Sequence, residues 1–167
     1  MADPTDLNAA LAGVELLVLD FDGVLTDNRV LVDQDGREAV FCHRGDGWGI
    51  ARVREAGVEV FVLSTETNPV VAARCRKLKI ECIHGSDDKL SVFKQMLADR
   101  SLSPQQVVFM GNDVNDLQCL EYAGIAVVPA DAEPQATALA DLATDRRGGY
   151  GAVRQLCDRI CAAKCSR

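Results

Sequence analysis

Near its amino terminus the chain reads Leu16-Leu17-Val18-Leu19-Asp20-Phe21-Asp22-Gly23-Val24. Four consecutive aliphatic residues predict a strand that is covered on both faces, as in a parallel sheet. The strand ends at Asp20, and a second carboxylate and a glycine follow within three residues. Because ligands of open α/β sheets bind at the carboxyl ends of the strands, this segment is the first candidate for a functional site.

Short β-rich runs alternate with helical segments along the rest of the chain. Predicted strands lie at 16–19, 58–63, 81–83, 107–110 and 125–128, with a further one at 142–144 left open, and predicted helices at 48–56, 69–79, 89–99, 115–123, 133–140 and 152–163. This alternation predicts an α/β fold, a doubly wound Rossmann-like three-layer sandwich with a mainly parallel sheet. Two β-like runs around Asp35-Gly36 predict a β-hairpin inserted after the first strand.

Length and charge restrict the classes of protein to consider. The 167 residues fit a single domain, 1–167, in which residues 1–13 form a loose tail or a short helix. The net charge of −7 argues against general binding to nucleic acid or to anionic membranes. No basic leader and no long apolar run is present, and seven cysteines without a CxxC pair are typical of reduced thiols, so we expect a cytoplasmic protein.

Polar residues follow four of the predicted strands or open the helices after them. They are Asp20 and Asp22, Ser64 and Thr65, Lys89, and the segment Gly111-Asn112-Asp113-Val114-Asn115-Asp116. Close carboxylates repel one another, and a divalent ion with oxygen ligands relieves that repulsion. An Asp can attack phosphorus, a second Asp can serve as acid and base, and a lysine and a hydroxyl can hold phosphoryl oxygens.

Each of these residues also has an ordinary structural interpretation. Asp-x-Asp-Gly is a common turn, Ser64 suits a helix cap, and a lone lysine such as Lys89 is usually a solvated surface charge. Asp46 either lines the entrance to the site or forms a glycine-rich turn with its neighbours. The order of the polar residues, each after a predicted strand, favours phosphoryl-transfer chemistry over these separate interpretations.

In these motifs the sequence resembles the haloacid dehalogenase superfamily of phosphotransferases. Residues 20–24 match its first motif, Ser64 the second, Lys89 the third and residues 111–116 the fourth. The resemblance implies that Asp20 is the nucleophile, that Asp22 is the general acid/base, and that Ser64 and Lys89 hold the phosphate. It also implies Mg²⁺ bound by the Asp20 carboxylate, the Asp22 carbonyl and a residue of the fourth motif.

The fourth motif departs from the pattern of many relatives, which have an Asp where this chain has Asn112. Either the side-chain oxygen of Asn112 or the carboxylate of Asp113 would then complete the metal site. The departure leaves the third ligand open and does not change the expected reaction.

Between Asp22 and Ser64 there is room only for the hairpin and one helix, so no cap domain is expected. Over residues 15–160 the chain is similar to the capless 3-deoxy-D-manno-octulosonate 8-phosphate phosphatase group. The matching features are 20–27, the hairpin, 45–47 and 148–154. The group also includes nonulosonate (sialic-acid type) 9-phosphate phosphatases and domains of acylneuraminate cytidylyltransferases, and thus points to lipopolysaccharide or sialic acid metabolism.

This second resemblance implies a homotetramer in which the hairpins of four subunits meet and a neighbouring subunit completes each substrate pocket. Glu66, Arg74 and Lys77 would then contact the sugar acid across the subunit boundary, and Thr65 would also bind the substrate. Arg154 either reaches a carboxylate or phosphate from the glycine-rich segment or belongs only to the first turn of the last helix. Arg74 and Lys77 can offset the carboxylate of such a substrate, although both also suit a solvated helix face.

The expected activity is hydrolysis of a 3-deoxy-2-keto sugar acid phosphate, an octulosonate 8-phosphate or a nonulosonate 9-phosphate, through an aspartyl-phosphate. Three alternatives stay open: the same chemistry on another small phosphorylated metabolite, a weakly active module that partners an acylneuraminate cytidylyltransferase, and a receiver-like domain. The receiver interpretation fits poorly, because its phosphoacceptor follows the third strand rather than the first.

Overall fold

The structure is a computed structural model, and the description takes in residues 4–165. Its helices are α1 (Pro4–Ala12), α2 (Arg44–Glu55), α3 (Val70–Leu78), α4 (Lys89–Asp99), α5 (Leu117–Tyr122), α6 (Pro134–Leu139) and α7 (Ala152–Cys165). Its strands are β1 (Leu16–Leu19), β2 (Thr26–Val32), β3 (Glu38–Cys42), β4 (Glu59–Leu63), β5 (Glu81–Ile83), β6 (Val107–Met110), β7 (Ile125–Val128) and β8 (Leu142–Ala143). Short 3₁₀ turns occupy Pro104–Gln106 and Val114–Asp116.

Six parallel strands form the central sheet in the order β5-β4-β1-β6-β7-β8. The side chains of β1 alternate between two cores. Leu17 and Leu19 pack under α1, α2, α3 and α7, whereas Leu16 and Val18 pack under α4, α5 and α6. A strand that is buried on both faces needs apolar residues at every position, which explains the continuous run in the sequence. The predicted doubly wound three-layer fold without a cap is thereby confirmed.

The hairpin β2–β3 forms a separate two-stranded sheet directly after β1. Val30 pairs with Val40 and Val32 with Glu38, and Gly36, with φ +77°, lies in the connecting turn. Several large apolar side chains of the hairpin are exposed: Val30, Leu31, Val32 and Phe41. A two-stranded hairpin is marginal by itself, and its exposed apolar side chains form a candidate contact surface.

Helix α2 begins four residues earlier than the sequence predicts. His43 caps it, with its Nδ1 accepting a hydrogen bond from the backbone N–H of Gly45. Asp46 therefore lies in the first helical turn and is fully buried, with Oδ1 accepting from the backbone N–H of Arg154 at 2.9 Å. Both interpretations of Asp46, as a turn residue or as a lining of the site entrance, were wrong. Glycines at 45 and 47 are typical of a turn, but here they belong to the first turn of α2.

The structure also describes the amino-terminal segment and the cysteines. Residues 4–12, for which a loose tail and a short helix were both open, form α1, and Leu7 and Leu11 of that helix are buried in the core. Within residues 4–165 all seven cysteines are free, and four of them are buried. In the same range, none of the helices is long and apolar enough to cross a membrane.

Candidate active site

The predicted catalytic residues meet at the carboxyl edge of the sheet. Asp20 follows β1, Ser64 follows β4, and Lys89 is the first residue of α4. A cleft of about 90 Å³ opens here, lined by Asp20, Asp22, Asn28, Ser64, Thr65, Asn112, Asp113 and Asn115. The strand ends thus gather carboxylate, hydroxyl and amide groups from distant parts of the sequence.

Lys89 is buried between two carboxylates. Its Nζ lies 2.8 Å from Oδ1 of Asp20 and 2.7 Å from Oδ1 of Asp116, and its side chain is only 3 % exposed. Burial acts to lower the pKa of Lys89, but attraction to the two carboxylates outweighs it and raises the pKa. The lysine is therefore a fixed positive charge beside Asp20.

Asp116 shapes the loop that follows β6. Its second oxygen, Oδ2, accepts from the backbone N–H of Asn112 at 2.8 Å and of Asp113 at 3.4 Å. A Cβ at position 111 would lie 2.5 Å from Cγ of Asp116, so the loop needs glycine there. The sequence predicted no role for Asp116. Its position as the last residue of the motif 111–116, which begins with Gly111, was the feature that could have indicated a structural role.

The environment of Asp20 disfavours its charge. Burial first, and then repulsion from Asp116, raises the pKa of Asp20 to about 7, and Lys89 offsets only part of that effect. Burial likewise raises the pKa of Asp22, against a hydrogen bond from Thr26 that lowers it. One lysine is too little positive charge for this group of carboxylates, so the cleft has the electrostatics of a cation site.

Thr26 orients Asp22. Its hydroxyl donates to Oδ1 of Asp22 at 3.1 Å and accepts from the backbone N–H of Gly23 at 3.2 Å and of Asn28 at 3.3 Å. The side chain is fully buried, so the contact is shielded from water. Sequence reasoning missed Thr26, because a threonine after Gly23-Val24-Leu25 reads as an ordinary start of a strand.

The donor set fits a hard divalent cation. Oδ1 of Asn112 is buried without a hydrogen-bond partner and belongs to the same cleft as Asp20. By contrast, Oδ1 of Asp113 accepts from the N–H of Val114. Among residues 4–165, no three His, Cys, Asp or Glu side chains form a metal site by themselves. A metal here would thus use an amide or backbone oxygen as well as carboxylate, as Mg²⁺ and Ca²⁺ do.

A second, larger cleft of about 260 Å³ adjoins the first and shares Asp22 and Asn28 with it; its other lining residues are Arg29, Val30, Glu38, Val40, Glu66 and Val70. Glu66 follows Ser64, whose Oγ accepts from the N–H of Glu66 at 3.1 Å. Asn68 joins two carboxylates of this cleft. Its N–H donates to Glu66 Oε1 at 2.7 Å, and its Nδ2 donates to Glu38 Oε2 at 3.0 Å.

Three of the predicted substrate-binding residues lie outside both clefts. Arg74 Nη2 donates to the carbonyl oxygen of His43 at 3.2 Å, and Lys77 is exposed. Arg154 Nε donates to Oδ2 of Asp158 at 2.6 Å, one helical turn along α7. A single chain thus brings Thr65 and Glu66 to the site, and it leaves Arg74, Lys77 and Arg154 elsewhere.

A family model for haloacid dehalogenase-like hydrolases matches residues 53–154. The chain belongs to this family. It is also 33% identical to the 3-deoxy-D-manno-octulosonate 8-phosphate phosphatase of Escherichia coli K12, over 95% of this hydrolase and 85% of the relative. The family and these relatives identify the hydrolase as a phosphatase, as predicted.

Solved structures agree with this assignment. A haloacid dehalogenase-family hydrolase from Streptomyces avermitilis is 48% identical, with a TM-score of 0.87, over 89% of this hydrolase and 85% of that chain. The 3-deoxy-D-manno-octulosonate 8-phosphate phosphatase of Moraxella catarrhalis, solved with magnesium, phosphate and KDO, is 25% identical with a TM-score of 0.94 over 98% and 95%. The predicted resemblance to this capless group is confirmed.

Proposed function

We propose that this phosphatase is a Mg²⁺-dependent phosphomonoesterase that acts on a 3-deoxy-2-keto sugar acid phosphate through an aspartyl-phosphate on Asp20. The observation that carries the proposal is the placement of Asp20. Its carboxylate is buried at the end of β1, touches the fixed charge of Lys89, and shares a cleft with Asp22 and the unpartnered Oδ1 of Asn112.

The reaction follows from the protein side chains. A carboxylate oxygen of Asp20 attacks phosphorus and the ester P–O bond breaks, while Asp22, whose pKa is raised by burial, gives its proton to the leaving alkoxide. The carboxylate of Asp22 then takes a proton from water, the water oxygen attacks phosphorus, and inorganic phosphate leaves Asp20. Lys89 and Ser64 hold the phosphoryl oxygens as negative charge shifts between them.

The metal would be held by the Asp20 carboxylate, the Asp22 carbonyl and Oδ1 of Asn112. Asn112 is preferred over Asp113 because its side-chain oxygen is buried and unpartnered. When bound, Mg²⁺ supplies positive charge that offsets repulsion between the carboxylates and the phosphate.

The second cleft supports a polyhydroxylated acid as the substrate. Glu38 and Glu66 offer acceptors for sugar hydroxyls. Arg29 is paired with Asp27 at 2.7 Å, and it would exchange that partner for the carboxylate of the substrate. The relatives from Escherichia coli and Moraxella catarrhalis are octulosonate 8-phosphate phosphatases. The nonulosonate 9-phosphate is the second sugar acid to test, because residues 64–69 resemble the nonulosonate-type enzymes.

A homotetramer is part of the proposal. The exposed apolar side chains of the hairpin need a cover, and the hairpin also lines the second cleft through Val30, Glu38 and Val40. Contact between hairpins of neighbouring subunits would cover them, and it would let Arg74 and Lys77 of a neighbour reach this cleft.

A phosphate-release panel tests the activity. Octulosonate 8-phosphate, sialate 9-phosphate, glucose 6-phosphate and p-nitrophenyl phosphate are compared with and without Mg²⁺. We expect metal-dependent release, with kcat/KM about 10- to 100-fold higher for a sugar acid than for glucose 6-phosphate, since one charge-assisted contact contributes about 1.5–3 kcal/mol. Equal rates on glucose 6-phosphate would refute the sugar-acid assignment. Equal rates for wild type and Asp20→Asn would refute the nucleophile.

A further inference from the structure

The glycine-rich segment 148–151 packs directly on the backbone of the loop that follows the nucleophile. Gly148 is buried, and a Cβ at this position would overlap the carbonyl oxygen of Gly23. A Cβ at Gly149 would overlap the backbone nitrogen of Asp27, and the Gly149 N–H donates to the Val24 carbonyl at 3.2 Å. Only residues without a side chain permit so close an approach of two backbones.

The other side of Gly23 is covered by Asn112. Gly23 has φ +77°, and a Cβ there would overlap Nδ2 of Asn112. Gly23 is thus enclosed between the backbone of Gly148 and the side chain of Asn112. The contact between Gly148 and Gly23 joins backbone to backbone, so no side-chain rotation can relieve a clash there. The side chain of Asn112 on Gly23 is buried, which limits its freedom to move aside.

The loop between β7 and α6 anchors both outer members of this layer. Oδ1 of Asp131 accepts from the N–H of Gly148 at 2.9 Å, and the N–H of Glu133 donates to the carbonyl of Asn112 at 2.8 Å. The N–H of Ala130 donates in addition to the carbonyl of Arg146 at 3.1 Å. The same loop therefore holds both Gly148 and Asn112 in place, and Gly23 lies between them.

We propose that Gly148 is a positioning residue for the metal site. It sets the distance between the Asp22–Gly23 backbone and the side chain of Asn112, and thereby the spacing of two of the three protein oxygens assigned to the cation. The inference rests on the proposed Mg²⁺-dependent function and extends it to a residue that touches neither metal nor substrate.

The affinities for Mg²⁺ and for Ca²⁺ together distinguish a change in the geometry of the metal site from a general loss of stability. Mg²⁺ requires near-ideal octahedral geometry with oxygens at about 2.0–2.1 Å, whereas Ca²⁺ accepts irregular geometry at about 2.3–2.6 Å. Displacement of Gly23 by a methyl group at position 148 should therefore weaken Mg²⁺ binding more than Ca²⁺ binding. A general loss of stability would have no such preference between the two ions.

Titration calorimetry with Mg²⁺ and with Ca²⁺ tests the proposal on the full chain. For Gly148→Ala we expect a Kd for Mg²⁺ about 10- to 100-fold higher, the range typical of changes behind the metal ligands, and a smaller change for Ca²⁺. Gly57→Ala is the matched control. Gly57 has φ +84° with open space around its Cβ position, so this variant loses stability and keeps its Mg²⁺ affinity.

A second pair of variants covers the case in which Gly148→Ala does not fold. Asp131→Ala removes the acceptor of the Gly148 N–H and should raise the Kd for Mg²⁺, whereas Asp131→Asn keeps an oxygen acceptor and should restore it. Wild-type Mg²⁺ affinity in both Gly148→Ala and Asp131→Ala would overturn this inference alone. A wild-type protein that binds no Mg²⁺ would overturn the proposed function and this inference with it.

Discussion

Lys89 Nζ lies 2.8 Å from Oδ1 of Asp20 and 2.7 Å from Oδ1 of Asp116, and all three side chains are buried. The lysine is the one cation among residues 4–165 that contacts Asp20 in a salt bridge. Its charge holds together two carboxylates that would otherwise repel each other across the cleft.

Lys89→Met should both destabilise and inactivate the protein. Removal of one partner from a buried ion pair leaves uncompensated charge, which costs about 3–5 kcal/mol of unfolding free energy. Urea denaturation at pH 8 with EDTA measures this cost. Lys89→Met combined with Asp116→Asn should recover part of the lost stability, because one of the two repelling carboxylates is gone. If the change in unfolding free energy of the double variant equals the sum of the two single changes, the assigned interaction between Lys89 and Asp116 is contradicted.

Asn112→Asp should bind Mg²⁺ more tightly than the wild type. Oδ1 of Asn112 is buried and unpartnered, so a carboxylate in the same place adds a charged ligand to a site that already suits a cation. We expect the Kd for Mg²⁺ to fall about tenfold by calorimetry, which is about 1.4 kcal/mol. Asn112→Ala is the control and should raise the Kd. If Asp113→Ala raised the Kd and Asn112→Ala did not, the third ligand would be Asp113.

The sequence predicted the fold well because its strongest signals are local. The run 16–19 has an apolar residue at every position, and the structure uses each of them in one of two cores. Where Gly45 and Gly47 flank Asp46, the same local reasoning predicted a turn, because the cap from His43 and the contact with Arg154 are not visible in the spacing of residues.

The sequence predicted which polar side chains lie near one another at the candidate site, and it predicted only some of their contacts. Asp20, Asp22, Ser64 and Lys89 are placed by strand ends, which a sequence pattern reveals. Asp116 acts through backbone N–H groups within its own loop, and such contacts depend on the path of that loop. Arg154 is paired with Asp158, four residues later on the same helix. Such an i, i+4 pair can be predicted from spacing alone, but the family resemblance favoured a contact with the substrate.

Phe41→Glu should dissociate the proposed tetramer. Phe41 is 69% exposed on the hairpin, and a buried charge at an apolar contact between subunits is costly. Light scattering after size exclusion should give a mass several times 18.0 kDa for the wild type and a smaller mass for the variant. Ala98→Glu on α4 is a control with the same change of charge at an exposed position away from the hairpin. A monomeric wild type would contradict the proposed tetramer and the roles of Arg74 and Lys77.

Asp46 should make the stability of the protein depend on pH. Burial raises the pKa of Asp46 above its unfolded value of 3.8, against a hydrogen bond from the Arg154 N–H and the nearby positive charges of Arg74 and Arg146. The folded state then binds a proton more tightly than the unfolded state. Stability is therefore highest below about pH 4 with respect to this group, and it falls as pH rises towards the pKa of the folded state.

Asp46→Asn isolates this contribution, because the amide keeps an oxygen for the Arg154 N–H and cannot ionise. The free energy of unfolding of the variant minus that of the wild type should increase with pH from about pH 4 upward and level off above the pKa of the folded state. Urea titrations of both proteins at intervals between pH 4 and 8 measure that difference. Ala98→Ser, a change between two side chains that do not ionise in this range at an exposed position on α4, should give a flat difference across the same range. A flat difference for Asp46→Asn as well would show that Asp46 is equally easy to ionise in the folded and unfolded chain.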